Sequence, residues 1–279
     1  MGYSIFEETM ADMTWVDIEK ASTKGAIVLF PLGVIEEHGP HLCLGTDIYL
    51  SYNRCKQIKK KLDTMGIKAL VTPPYYWGVN NITGGFPGSF TVRKETLKNI
   101  IYDLLACLHR WGFKNIFCFY GHGDTDHVMP ILESIRESRN DHQINARMVV
   151  EDINLKRFKL SGNEEYILSL NPSPSLPESD SGQVPIIFDI HAGSFETAAM
   201  NHYFPRLVKV KIAKTLKSTD LNWRNVRLWS KGWDEAKKIT PLGYVGDPAN
   251  YEKERDIKAE DDKESEFTAN RIAESLQKS

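Results

Sequence analysis

The sequence predicts an α/β protein with a mostly parallel sheet, and three observations predict it. Short apolar, β-branched runs alternate with longer segments of helical period. The runs end at glycine or proline, and polar, ligand-type residues collect directly after them. Alternation of this kind gives strands buried on both faces by their crossover helices.

Ala26-Ile27-Val28-Leu29-Phe30 reads as the first buried strand, closed by Pro31 and Gly33. After a Gly-rich loop, Thr46 is placed to cap a helix in which Ile48, Tyr52, Cys55, Ile58 and Leu62 share one face. Lys68-Ala69-Leu70-Val71 is the second strand. The clearest helix carries Leu97, Ile100, Ile101, Leu104, Leu108 and Trp111 at helical spacing, with Gly112 as its stop. Asn115–Phe119 is the third strand, a helix with Val128, Leu132 and Ile135 follows, and Arg147–Val150 is the fourth strand. Residues 171–185 hold four prolines and four serines and read as a surface loop or lid, because Ile186-Ile187-Phe188 looks like another core strand. The charged tail from about residue 251 reads as a solvated helix. The whole chain, 1–279, is taken as one domain.

Composition narrows the function classes. With Lys+Arg at 35 against Asp+Glu at 37, the net charge of −2 offers a polyanion nothing, so nucleic acid is not expected as a partner. No apolar run is long enough for a bilayer, which argues against a membrane partner. The first residues lack a basic start and an apolar stretch, and the four cysteines are widely spaced. A cytoplasmic protein with reduced thiols is the expectation.

The chemistry collects at three places: Glu36 to Asp47 after the first strand, His122-Gly123-Asp124 after the third, and Asp189 to Thr197 after Ile186–Phe188. Carboxylate with imidazole is the ligand set of zinc, manganese or iron. Glu36 and His38, one residue apart on an extended loop, suit two neighbouring ions better than one. Asp47 has two oxygens with which to bridge them, and His122 and Asp124 add one ligand to each. Two ions sharing a water make a hydroxide near neutral pH. Trp77, with Asn80 and Asn81 close behind it, offers a face and hydrogen bonds to a small ring-shaped substrate; one of Trp223, Trp229 or Trp233 is expected to join it.

The run Glu36-Glu37-His38-Gly39-Pro40-His41-Leu42-Cys43-Leu44-Gly45-Thr46-Asp47 resembles the signature of the creatininase (creatinine amidohydrolase) family. Thr14-Trp15, Gly85–Ser89, Gly121-His122-Gly123, His191-Ala192-Gly193 with Glu196-Thr197, and Gly246-Asp247-Pro248 extend the resemblance over roughly residues 14 to 250. It implies a three-layer α/β/α sandwich with a binuclear metal centre, in a homo-oligomer that is often a hexamer. By the same resemblance Glu36 and His122 hold one metal, His38 and Asp124 the other, and Asp47 bridges. His191 is the proton-transferring histidine and Glu196 the acid of the third loop. Asp124 is one methylene shorter than the family's Glu, which makes Glu196 a competing ligand. Gly123 stands where creatininase itself has a substrate-touching tyrosine, and Ile190 where it has a Glu, so creatinine is not the expected substrate.

The expected activity is hydrolysis of a C–N bond, amide or formamide, in a small polar substrate by a metal-bridging hydroxide. The alternatives are opening of a keto-inositol ring, suggested by the tryptophans, and an inactive relative that binds a metabolite or serves as a scaffold.

Overall fold

The alternation becomes a five-stranded sheet in which every pairing is parallel, ordered β2-β1-β3-β4-β5. The computed structural model describes residues 2–170, 188–252 and 256–277. In chain order come α1 (Trp15–Thr23), β1 (Ile27–Leu32), α2 (Thr46–Thr64), β2 (Ala69–Val71), α3 (Lys94–Arg110) and β3 (Asn115–Tyr120). They are followed by α4 (Thr125–His142), β4 (Asn145–Glu151), the one-turn α5 (Asp152–Leu155) and β5 (Ile167–Leu170). The last part holds α6 (Ser194–Tyr203), α7 (Val210–Ala213), α8 (Trp223–Trp229), α9 (Trp233–Ile239) and α10 (Ile257–Gln277).

Strand residues alternate between two cores, as a pleated sheet covered on both faces requires. Val28, Phe30, Ile116, Cys118, Met148 and Val150 face α3 and α4. Ile27, Leu29, Phe117, Phe119 and Val149 face Cys55, Ile58 and Leu62 of α2 together with Ala269 and Ile272 of α10. This is the three-layer sandwich. On α3 the buried stripe is Leu97, Ile101, Leu105 and Leu108, while Trp111 lies at the exposed edge.

Pro31 inside β1 is tolerated because the strand outruns its neighbour. Its carbonyl faces the β2 side and accepts Tyr75 N–H (3.0 Å), so its missing N–H falls beyond the end of β2 at Val71.

Four sequence expectations are corrected. Thr46 does not cap α2; it is the first helical residue, and its hydroxyl donates to the Cys43 carbonyl (2.8 Å), leaving Gly45 as the cap. The last strand among the described residues is β5, which the sequence reading passed over. Ile186 and Ile187, like the 171–185 loop, lie outside the described residues, and Phe188 is in no strand. The C-terminal helix is not merely solvated: Ala269 and Ile272 complete a core, and Glu264 reaches Arg54 of α2 (2.8 Å).

Strand order reverses between β1 and β3, since the chain leaves β1 for β2 on one side and returns to β3 on the other. Ligands of open α/β sheets sit outside the carboxyl ends of strands at such a crossover. The loops carrying Glu36–Asp47 and His122–Asp124 meet there.

Candidate metal centre

β1 delivers its loop straight into the crevice, and the first turn of α2 brings Asp47 back to it. Just after β3 comes Gly121, packed so closely on α2 that a Cβ there would lie 2.6 Å from the Asp47 carbonyl oxygen. That missing side chain lets His122 reach Asp47.

The result is a buried cluster of three carboxylates and three imidazoles. His122 Nδ1 lies 2.8 Å from Glu36 Oε1 and 3.3 Å from Asp47 Oδ2. His38 Nε2 lies 3.0 Å from Asp47 Oδ1 and 3.8 Å from Glu196 Oε2. His191 Nδ1 is 3.9 Å from Glu36 Oε1. Within each of the groups Glu36–Asp47–His122, His38–Asp47–Glu196 and Glu36–His38–His191, the ligand atoms all lie within 4.8 Å of one another.

The surrounding groups set which ring atoms face inward. His122 Nε2–H donates to the Val79 carbonyl (3.2 Å) and His38 Nδ1–H to the Glu36 carbonyl (3.2 Å). Each ring therefore presents its other nitrogen to the carboxylates, as metal-binding histidines do when their outer N–H is held by backbone. Thr83 Oγ1–H donates to Glu36 Oε2 (2.5 Å) and holds that carboxylate in place. Asp47 Oδ2 is buried and has no well-aligned hydrogen bond among the described residues. An orphaned carboxylate oxygen beside an inward-facing imidazole nitrogen fits a divalent cation.

Electrostatics say the same. Burial opposes charge on His122, but Glu36 and Asp47 outweigh it and hold the ring up to about 10. His38 is raised well above its ordinary value against burial, by Asp47 foremost. Despite its burial, Glu36 is held well below the usual carboxylate range by His122 and His191. Burial raises Glu196. Protons here stand where cations would, so loading metal displaces protons.

His191 sits in a separate frame. Its backbone forms an isolated antiparallel bridge with Val245, and its Nε2–H donates to the Glu37 carbonyl (2.8 Å) and faces Glu37 Oε1 (3.2 Å). Burial and His38 work against its charge, yet Glu36 and Glu37 bring it to about 9. Gly39 N–H donates to the other Glu37 oxygen (3.0 Å). Trp229 lies behind, with ring centroids 6.2 Å apart.

Other residues named from the sequence do different work. Asp124 is absent from the cluster: Oδ1 accepts Asp126 N–H (2.9 Å), and Oδ2 accepts Asn81 N–H (2.9 Å) and Ile82 N–H (3.2 Å). It caps α4 and pins a neighbouring loop; the shorter side chain is spent on backbone donors. Asn80 is fully buried, and its amide donates to the carbonyls of Ile35 and Phe90, so it clips loops together. Asp189 accepts from Ser194 Oγ and Phe195 N–H and so ties off the start of α6. Trp77 is exposed and its ring packs on Tyr76 and Phe90. Gly123 lies beside the Arg157 guanidinium.

Of the three tryptophans the sequence offers, Trp229 is the one beside His191. Glu37 and Thr83 are additions to the sequence expectation, although Glu37 sits inside the signature run. Nothing in the spacing points to Thr83.

A family model described as creatinine amidohydrolase matches residues 11–257. The creatinine amidohydrolase of Pseudomonas putida is 26% identical over 221 residues, covering 75% of each chain. A mycofactocin precursor peptide peptidase of Mycolicibacterium smegmatis is 23% identical over 226 residues, 80% of this chain and 74% of that one. The 3-dehydro-scyllo-inosose hydrolase of Thermotoga maritima is 26% identical over 120 residues, 43% of this chain and 37% of that one. A solved manganese form of creatininase superposes with a TM-score of 0.66 at 20% identity, covering 97% of this chain and 98% of that one.

Proposed function

The chain belongs to the creatininase family of metal-dependent hydrolases, and from that premise we propose that it cleaves a C–N bond, amide or formamide, in a small, polar, ring-shaped substrate. Glu36, Asp47 and His122 would hold one divalent ion and His38, Asp47 and Glu196 a second, Asp47 being the residue common to both groups. Zinc and manganese suit this donor set. When bound, such a pair supplies an acidified water and a Lewis acid for the scissile carbonyl.

The chain's own residues do the rest. His122 and His38 keep their inward nitrogens free by donating their outer N–H groups to backbone. Glu37 fixes the His191 ring through Nε2, so Nδ1 is the atom turned toward the cluster. His191 delivers its Nδ1 proton to the departing nitrogen, as a general acid does. Asp124 keeps the Asn81–Ile82 loop against the site.

The observation that carries this reading is Asp47, with one oxygen toward each inward imidazole. Metal content per chain, by plasma mass spectrometry on protein purified without added metal, tests it. Close to two ions is expected, and none, even after adding zinc or manganese, overturns it. A partial relative acts on a keto-inositol derivative, so ring ketones belong in the substrate screen beside ring amides. We place the enzyme in the cytoplasm as a homo-oligomer; among the described residues no helix is long and apolar enough to cross a membrane.

A further inference from the structure

We propose that Arg157 is a substrate-recognition residue, and that the substrate carries a carboxylate on the side of the scissile bond facing Gly123. This inference rests on the hydrolase reading above and names the class of its substrate.

Gly123 lies between His122, whose ring is in the cluster, and Asp124, which caps α4. A Cβ on Gly123 would sit 3.3 Å from one terminal nitrogen of Arg157 and 3.8 Å from its central carbon and other terminal nitrogen. The guanidinium thus lies against position 123, one residue from a cluster histidine, and even a Cβ there would make it give by a few tenths of an ångström.

The base of Arg157 is fixed while its head is exposed. Phe158 is buried, meets Tyr120 edge to face at 5.6 Å, and donates its N–H to the Asn154 carbonyl (3.0 Å). Arg157 follows α5 at the carboxyl end of β4, on the same edge of the sheet as the cluster. Among the described residues no carboxylate pairs with it; its one ring contact is Phe158 at 5.9 Å, near the limit of a useful cation–π distance. Arg54, by contrast, is gripped by Glu151 (2.7 Å) and Glu264 (2.8 Å). An exposed, permanently charged fork beside Gly123, with no carboxylate paired to it among the described residues, suits a carboxylate.

Charge favours an anionic substrate: Arg157 attracts a carboxylate beside Gly123, and with two cations bound Glu36, Asp47 and Glu196 no longer repel one. One guanidinium suits a monoanion, and it does nothing for an uncharged polyol or a cationic ring.

The test uses zinc-loaded protein and a matched pair of ring amides, L-pyroglutamate and its uncharged carboxamide, with binding measured by calorimetry. The wild-type chain should bind pyroglutamate at least tenfold more tightly. Arg157→Gln should bring the ratio close to one, and Arg157→Lys should restore part of it, because the charge returns without the fork. Equal binding of the pair by wild type, or an unchanged ratio in Arg157→Gln, overturns the inference. Metal content of each sample, read by plasma mass spectrometry, reports separately on the hydrolase reading. A chain without metal defeats that reading, while the ratio still judges Arg157.

Discussion

The first turns of α2 and α4 present the same residue at nearly the same place, and only one of them reaches the cluster. Asp47 and Asp124 both begin helices at the carboxyl edge of the sheet, and both follow glycine-bearing loops with a histidine. Asp124 is itself the cap of α4, where a short carboxylate meets the free N–H groups of the first turn. Asp47 lies inside α2, one residue past the start, with Gly45 as the cap. Its side chain is released from capping and points into the crevice. The difference teaches that a carboxylate competes for its own backbone before it competes for a metal.

The largest expected effect comes from the released member of the pair. Asp47→Ala should take metal content from about two ions per chain to near zero, read by plasma mass spectrometry. Retention of both ions would break the comparison at once. Glu196→Gln should remove one ion and leave the other, since Glu196 belongs to only one of the two groups containing Asp47. If Asp124→Asn instead removes an ion while Glu196→Gln removes none, the assignment of the second site is reversed.

Acidity gives a third, smaller effect. In chelated protein His122 is raised to about 10 and His191 to about 9, from an ordinary 6.5. A raised basic group contributes stability that is full below about pH 6.5 and lost as pH climbs through the folded value. The Tm of chelated protein should therefore fall between about pH 7 and pH 10. Zinc-loaded protein, whose ligands are already deprotonated, should fall less over the same range. Parallel curves would mean that the imidazoles are not the groups the metal displaces.

The smallest effect should come from Asp124→Ala. Loss of an N-cap costs about 0.5–2 kcal/mol, and denaturant melts should register that with metal content unchanged. A loss of metal equal to that of Asp47→Ala would erase the distinction between the two helices.

Much of the scaffold is legible in the sequence. The stripes on α2 and α3 and the runs in β1, β3 and β4 are long or regular enough for periodicity to expose them. β5 escaped because Ile167-Leu168-Ser169-Leu170 is too short to show a period. The docked face of α10 escaped because Thr268, Ala269 and Ser275, small or polar, fill much of it. At the site, Glu36, His38, Asp47 and His122 come together as their spacing suggested. The roles of Asn80, Asp189 and Asp124 were not legible, because a buried amide or short carboxylate takes whichever backbone donors and acceptors the fold brings near. Those partners come from distant segments, as Ile35 does for Asn80 and Asn81 for Asp124.

The strand order also governs when the cluster can exist. Its ligands come from the loops after β1 and β3 and from the first turns of α2 and α6, and β1 and β3 become neighbours only after the intervening α2, β2 and α3 have been threaded aside. Pairing across so long a stretch is a late and slow event for a chain. A cation that needs Asp47 and His122 together has little to hold in the collapsed chain, so it adds its binding energy after the rate-limiting step. Metal should then leave the refolding rate almost untouched and slow unfolding, acting as a latch on the finished sheet instead of a template for building it.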